Sequence, residues 1–167
     1  MKNQTDFSSR IGVRAVVAGM MAALTSMLLL MFLIAALGIW NFNLNEVTSA
    51  GPLFWTATSV AWVISMYLAG FVASVGARAQ GNIEGTLNAV AACSASYLMS
   101  GLFFLLFASN ALDSVLSSGN SQFYLRIFLG ETIAFAVGIY GGMVGAHYGQ
   151  RTTAGYKEIR RAQNFST

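Results

Sequence analysis

The chain has 167 residues, of which 56% are hydrophobic and only 9% charged, with a formal net charge of +3 and a mean hydropathy of +0.61. Soluble domains carry about a quarter charged residues, so this composition excludes a water-surrounded domain and points to a chain built mostly of membrane spans. A nucleic-acid role would want a basic face with stacking aromatics; the one basic run, the tail "RTTAGYKEIRRAQNFST", suits anionic lipid head groups better.

Residues 1–10 form a polar lead containing Lys2 and Arg10, followed by a first apolar span over 11–40. This span far exceeds the roughly 7–15 residues of a signal-peptide core, so it is expected to be retained as a membrane helix. A polar loop, "NFNLNEVTSAGP", leads to the chain's single proline, Pro52, placed where the first turn of a second span over 53–77 begins. A missing N–H costs least at that position.

Span two ends in "SMYLAGFVASVGAR", in which Ser65, Ala69, Val72 and Gly76 recur at helical spacing along one face and Arg78 closes the run. The short link after it makes span three, over 84–108, an antiparallel neighbour of span two. Cys93 stands alone in the middle of that span, so it predicts neither a disulfide nor a metal cluster. A longer loop follows, with Phe123 and Tyr124 as interfacial anchors, and leads to span four over 127–149. Span four carries "GIYGGMVGAHYGQR", a purer version of the small-residue stripe with Gly138, Gly142, Gly145 and Gly149 in register and Arg151 at its end. Residues 150–167 form the tail. Each span is long enough, at about 1.5 Å per residue, to cross roughly 30 Å of hydrocarbon.

Sliding the chain over itself until Tyr67 falls on Tyr140 also lays Ala61, Ala73, Gly76 and Arg78 on Ala134, Ala146, Gly149 and Arg151. The same register lays Gly12, Val17, Ala18 and Ala22 on Gly85, Val90, Ala91 and Ala95. An internal duplication of a two-helix hairpin accounts for both sets. The expected fold is therefore all-α: four transmembrane helices arranged as two parallel-repeat hairpins in one membrane domain. Arg14 before span one, Arg78 between spans two and three, and Arg151 after span four lie on one side. The opposite loops hold only Arg126, so the positive-inside rule puts both termini in the cytoplasm.

The runs "VRAVVAGMMAALTSMLLLMFLIAALGI", "FWTATSVAWVISMYLAGFVASVGAR" and "GNIEGTLNAVAACSASYLMSGLFF" resemble a class of small four-span bacterial inner-membrane proteins. In that class an Ala/Gly-rich first span ends near L-G, an aromatic-led second span ends G-G-x-x-A-x-R, and a third opens on a G-x-L-H-G-like stretch. The resemblance covers about residues 11–108 and implies the inner membrane as compartment, with no implied reaction. "AGFVASVGAR" replaces the tighter G-G form, and Asn88 stands near where the class often has histidine, so no role of that histidine carries over.

Close backbone approach at small-xxx-small faces drives helix association in lipid. The stripes Ser65, Ala69, Gly76 and Gly138, Gly142, Gly145, Gly149 therefore read as contact faces, either within one four-helix bundle or between protomers or partner membrane proteins. Tyr67 and Tyr140, each eleven residues from its terminal arginine, lie about 16 Å inside the membrane. A hydroxyl at that depth calls for a partner, either on a neighbouring helix or in a polar pathway or pocket. Glu131 is expected in the first turn or so of span four, near the outer surface, where it could pair with Arg126; a gating or transport role is the alternative. Arg14 and Glu84 flank inner helix ends, and His147, one turn before Arg151, reads as interfacial.

No phosphate-binding loop, metal-spaced ligand set or nucleophile–base pairing stands out, so the reading is non-enzymatic, with no cofactor or metal. The expected function is a scaffold or accessory subunit that associates with itself or another membrane protein through its Gly/Ala faces. The alternative is a small oligomeric channel or transporter.

Overall fold

The computed structural model describes residues 11–39, 51–79, 81–107 and 121–164, with side chains left out at 104, 107, 121–124, 126 and 151–164. All described secondary structure is helical: α1 (Val13–Ala36), α2 (Pro52–Gly76), α3 (Asn82–Phe107) and α4 (Ser121–Asn164). Each contains a segment long and apolar enough to cross a membrane. The chain is a multi-pass, all-helical membrane protein.

The helix ends follow from local chemistry. Pro52 occupies the first turn of α2 as expected, after Gly51 in an extended conformation. α1 stops at Ala36, short of residue 40, because Gly38 turns left-handed at φ 72° and lets the Ile39 amide donate to the Ile34 carbonyl at 3.1 Å. That closure satisfies carbonyls the last turn would otherwise leave bare. α2 ends in the same way, with the Ala79 amide reaching Ser74 O at 3.2 Å, but here the left-handed position is Arg78 at φ 51°. A side chain in that region costs roughly 1 kcal/mol.

α4 departs most from the sequence reading, which expected a span over 127–149 and a separate tail. The helix is continuous for 44 residues, starting before the apolar window Ile127–Gln150 and continuing after it. The polar and aromatic residues 121–126 lack the hydropathy of a span yet have nothing that stops a helix.

α2 is the central element and packs extensively against the other three helices, with α4 and α1 as its main neighbours. α3 bridges α1, α2 and α4, whereas α1 and α4 hardly meet. The two hairpins therefore have unequal surroundings: α2 lies against α3, while α1 and α4, the pair equated with it by the repeat, are apart. The main core joins Ala23, Met66, Ala69, Ala73, Ala92, Cys93 and Ala134, and a second cluster of Ile34, Phe54 and Ala61 lies toward the opposite end. The end bearing Gly12, Arg78 and Gly149 is termed the inner end below. On α3 and α4 burial fades away from it: no described residue of α3 beyond Ser96, and none of α4 before Ala134, is buried.

Candidate functional site

The small-residue stripes turn into the chain's own bundle. Ser65 and Ala69 are fully buried, and Gly138, Gly142, Gly145 and Gly149 are buried on α4. A methyl group on Gly145 would stand 2.6 Å from Phe71 O, and one on Gly138 would stand 2.5 Å from Cys93 Sγ and 3.0 Å from Met66 O. A methyl on Gly142 would meet the Ala89 methyl and, at 2.7 Å, Gly85 O. These contacts remove Gly138, Gly142 and Gly145 from any surface that another protomer could use while this bundle is intact. The remaining stripe position, Gly76, is exposed and faces Ala15 of α1.

The sequence reading missed the tightest position, Gly70, and two others as close as those it named. Gly70 lies directly against the Gly138 carbonyl, Gly141 against the Tyr67 carbonyl, and Gly19 of α1 would place a methyl 2.5 Å from Ala69 O. The repeated run itself points to Gly141, which precedes Gly142 in "YGG"; Gly19 and Gly70 needed the neighbouring helix to be known.

Polar side chains in the same half tie helices together. The Ser74 hydroxyl donates to Gly85 O at 2.9 Å, joining α2 to α3. Asn88, fully buried, accepts the Gly12 amide on Oδ1 at 3.0 Å and donates from Nδ2 to Glu84 O at 2.8 Å. It thereby holds one of the amides at the start of α1 that helix geometry leaves without an internal partner. Arg14 and Arg78 are exposed at this end, as is His147, while the Arg151 side chain lies outside the described set.

The two tyrosines chosen for their depth do not form a polar pair. Tyr140 is 62% exposed on the outer face of α4, and Tyr67 is half-buried, its ring stacked on Phe71 at 6.2 Å. Neither hydroxyl has a hydrogen bond to a described residue.

The polar centre lies instead where α2, α3 and α4 diverge. The Trp62 indole Nε1 donates to Glu131 Oε2 at 2.6 Å, and the Tyr97 hydroxyl donates to the Glu131 backbone carbonyl at 2.9 Å. Tyr97 sits edge-on to Trp62, with ring centroids 5.4 Å apart, and tilted against Phe135 at 6.0 Å. A cleft of about 290 Å³ opens beside this cluster, lined by Tyr97, Phe128, Glu131, Thr132 and Phe135.

The expectation for Glu131, the first turn or so of span four, agrees with the apolar window of α4, which opens at Ile127, about one turn before it. Trp62 is about ten residues from the start of α2, Glu131 about ten from the start of α4, and Tyr97 about ten from the end of α3. All three levels agree at about 15 Å below the outer helix ends. The helix itself begins at Ser121, about ten residues before Glu131, so the carboxylate stands inside α4 and not at its N-terminus. The expected Arg126 pairing concerns a side chain outside the described set. The register that equates Tyr67 with Tyr140 also lays Thr58 on Glu131 and Trp62 on Phe135. Thr58 keeps a buried Oγ1 with no hydrogen-bond partner among the described residues.

Comparison of the chain with known protein families, curated proteins and solved structures finds no match. The residues themselves therefore carry the functional reading.

Proposed function

We propose that this multi-pass protein is a non-catalytic scaffold or accessory subunit of the bacterial inner membrane, with both termini cytoplasmic. Its two hairpins are read as a duplication whose glycine faces build the bundle rather than the assembly. The observation that carries the reading is the continuity of α4, which leaves the apolar window at Gln150 and runs on as helix to Asn164. Those residues extend about 21 Å beyond the window and include Arg151, Lys157, Arg160 and Arg161. A helix anchored by close packing at one end and charged at the other is a rigid handle for a protein partner or a second copy. The handle replaces the Gly/Ala faces as the proposed contact.

Native mass measurement in lipid nanodiscs tests this, using the full chain and a chain ended after Gln150. A homo-oligomer or a stoichiometric complex that reverts to monomer on truncation is expected; a monomer from both chains overturns the reading. A second reading, a small channel or transporter, is favoured by the intramembrane carboxylate of Glu131, because ionisable groups at that depth commonly mark substrate or ion pathways. Flux in liposomes that is abolished by Glu131→Gln would select it, and absence of flux would dismiss it.

A further inference from the structure

We infer that the cleft between the outer halves of α3 and α4 binds an organic cation that dissolves in the bilayer, an amphipathic amine or quaternary ammonium, with Glu131 as its counter-ion. The inference concerns the cleft alone and does not depend on the α4 handle.

A carboxylate has about four acceptor sites. On Glu131 the Trp62 indole takes one, on Oε2, and the Tyr97 hydroxyl, which donates to the backbone carbonyl of the same residue, also stands beside the carboxylate. The rest of the carboxylate borders a cleft whose other walls are the rings of Tyr97, Phe128 and Phe135 and the Thr132 side chain. Phe128 is 66% exposed and Thr132 is exposed, so the cleft opens sideways toward the acyl chains rather than into the core. Glu131 lies about one turn inside the apolar window of α4, where neighbouring acyl chains have no donor to give a charged carboxylate.

Aromatic walls around one carboxylate suit a diffuse organic charge, which gains both from ion pairing and from the negative faces of the rings. They suit a hard inorganic cation badly, because calcium and magnesium ions want about six or more oxygen ligands. The cleft offers one carboxylate and two hydroxyls, that of Thr132, donated to Phe128 O at 2.8 Å, and that of Tyr97, donated to Glu131 O at 2.9 Å. The lining residues on α4 span only Phe128 to Phe135, about two turns of helix. That shape fits a compact molecule better than a groove-filling partner helix.

The test uses the full chain in phosphatidylcholine nanodiscs, with benzyltrimethylammonium as probe and its uncharged carbon isostere, neopentylbenzene, as control. Saturable binding of the cation above protein-free discs is expected, with no saturable binding of the isostere. Glu131→Gln, which keeps an oxygen for Trp62, should weaken the cation at least tenfold. Phe128→Ala, a change at an exposed position that leaves the bundle packed, should weaken it several-fold and covers the case in which the glutamine variant does not fold. The chain ended after Gln150 should bind as the full chain does. No saturable binding of the cation, equal binding of the isostere, or unchanged affinity in a folded Glu131→Gln overturns the proposal. The first of these outcomes would leave Glu131 as counter-charge for a basic residue on a partner helix.

Discussion

Toward the inner end, α2 and α4 approach so closely that the Gly138 carbonyl fills the space a side chain at Gly70 would need. Nearer the outer ends, the same two helices are bridged by the Trp62 indole reaching Glu131. Lipid tails are as apolar as leucine, so neither region gains from burying greasy surface, and each must find cohesion elsewhere. The inner region finds it in backbone contact, which only glycine, alanine and serine permit. The outer region finds it in hydrogen bonds between large side chains, which keep the helices apart and leave a cleft. Rigidity at one end and an accessible polar group at the other are two results of one choice of residue size.

Breaking the inner contact should have the largest effect. Gly138→Val places a branched side chain against Met66 O and the Cys93 sulfur, one a backbone atom and the other fully buried. Overpacking of this kind costs typically 1–3 kcal/mol, and a loss of about 3 kcal/mol in detergent unfolding is expected. Gly149→Ala is the matched control: nothing among the described residues lies within 4 Å of the added methyl, and helix propensity favours alanine by about 1 kcal/mol. Equal losses in both variants would mean that chain-wide helix effects, not the α2–α4 contact, hold the inner end.

Asn88→Ala should come next, at about 2 kcal/mol, since it strands the half-buried Gly12 amide and empties the buried Asn88 site. Hydrogen exchange over residues 12–16 should rise more than exchange in α4, and a uniform rise would overturn the local role. At the outer end Trp62→Phe removes the donor to Glu131 while keeping a ring beside Tyr97, and about 1 kcal/mol is expected for an interhelical hydrogen bond in lipid. A double-mutant cycle with Glu131→Gln isolates the pair; a coupling near zero would show that the outer region is held by ring packing alone.

The smallest effect is a gain. Arg78→Gly relieves a left-handed residue at φ 51° and should stabilise by about 0.5–1 kcal/mol. A loss instead would show that the arginine side chain contributes more than its backbone strain costs.

Hydropathy and spacing were enough to read four helices, their order, the proline start of α2 and the small-residue stripes, because lipid imposes length and apolarity on each span separately. The start of α4 was not legible in this way. Hydropathy marks where a helix becomes greasy, whereas α4 begins at Ser121, before that point. Tyr67 and Tyr140 matched each other in sequence and so drew notice, yet one stacks on Phe71 and the other is largely exposed. Trp62 and Tyr97, which carry the site, have no counterpart of the same type in the repeat and left no periodic signal.

The sequence by itself determined that the chain is a set of membrane-spanning helices, since composition and span length are properties of each segment alone. Only the tertiary structure decided that the glycine faces are used inside the bundle and that Glu131 meets Trp62 and Tyr97. Those outcomes depend on which helix stands beside which and at what level, and both are set by the fit of backbones across helices distant in the chain.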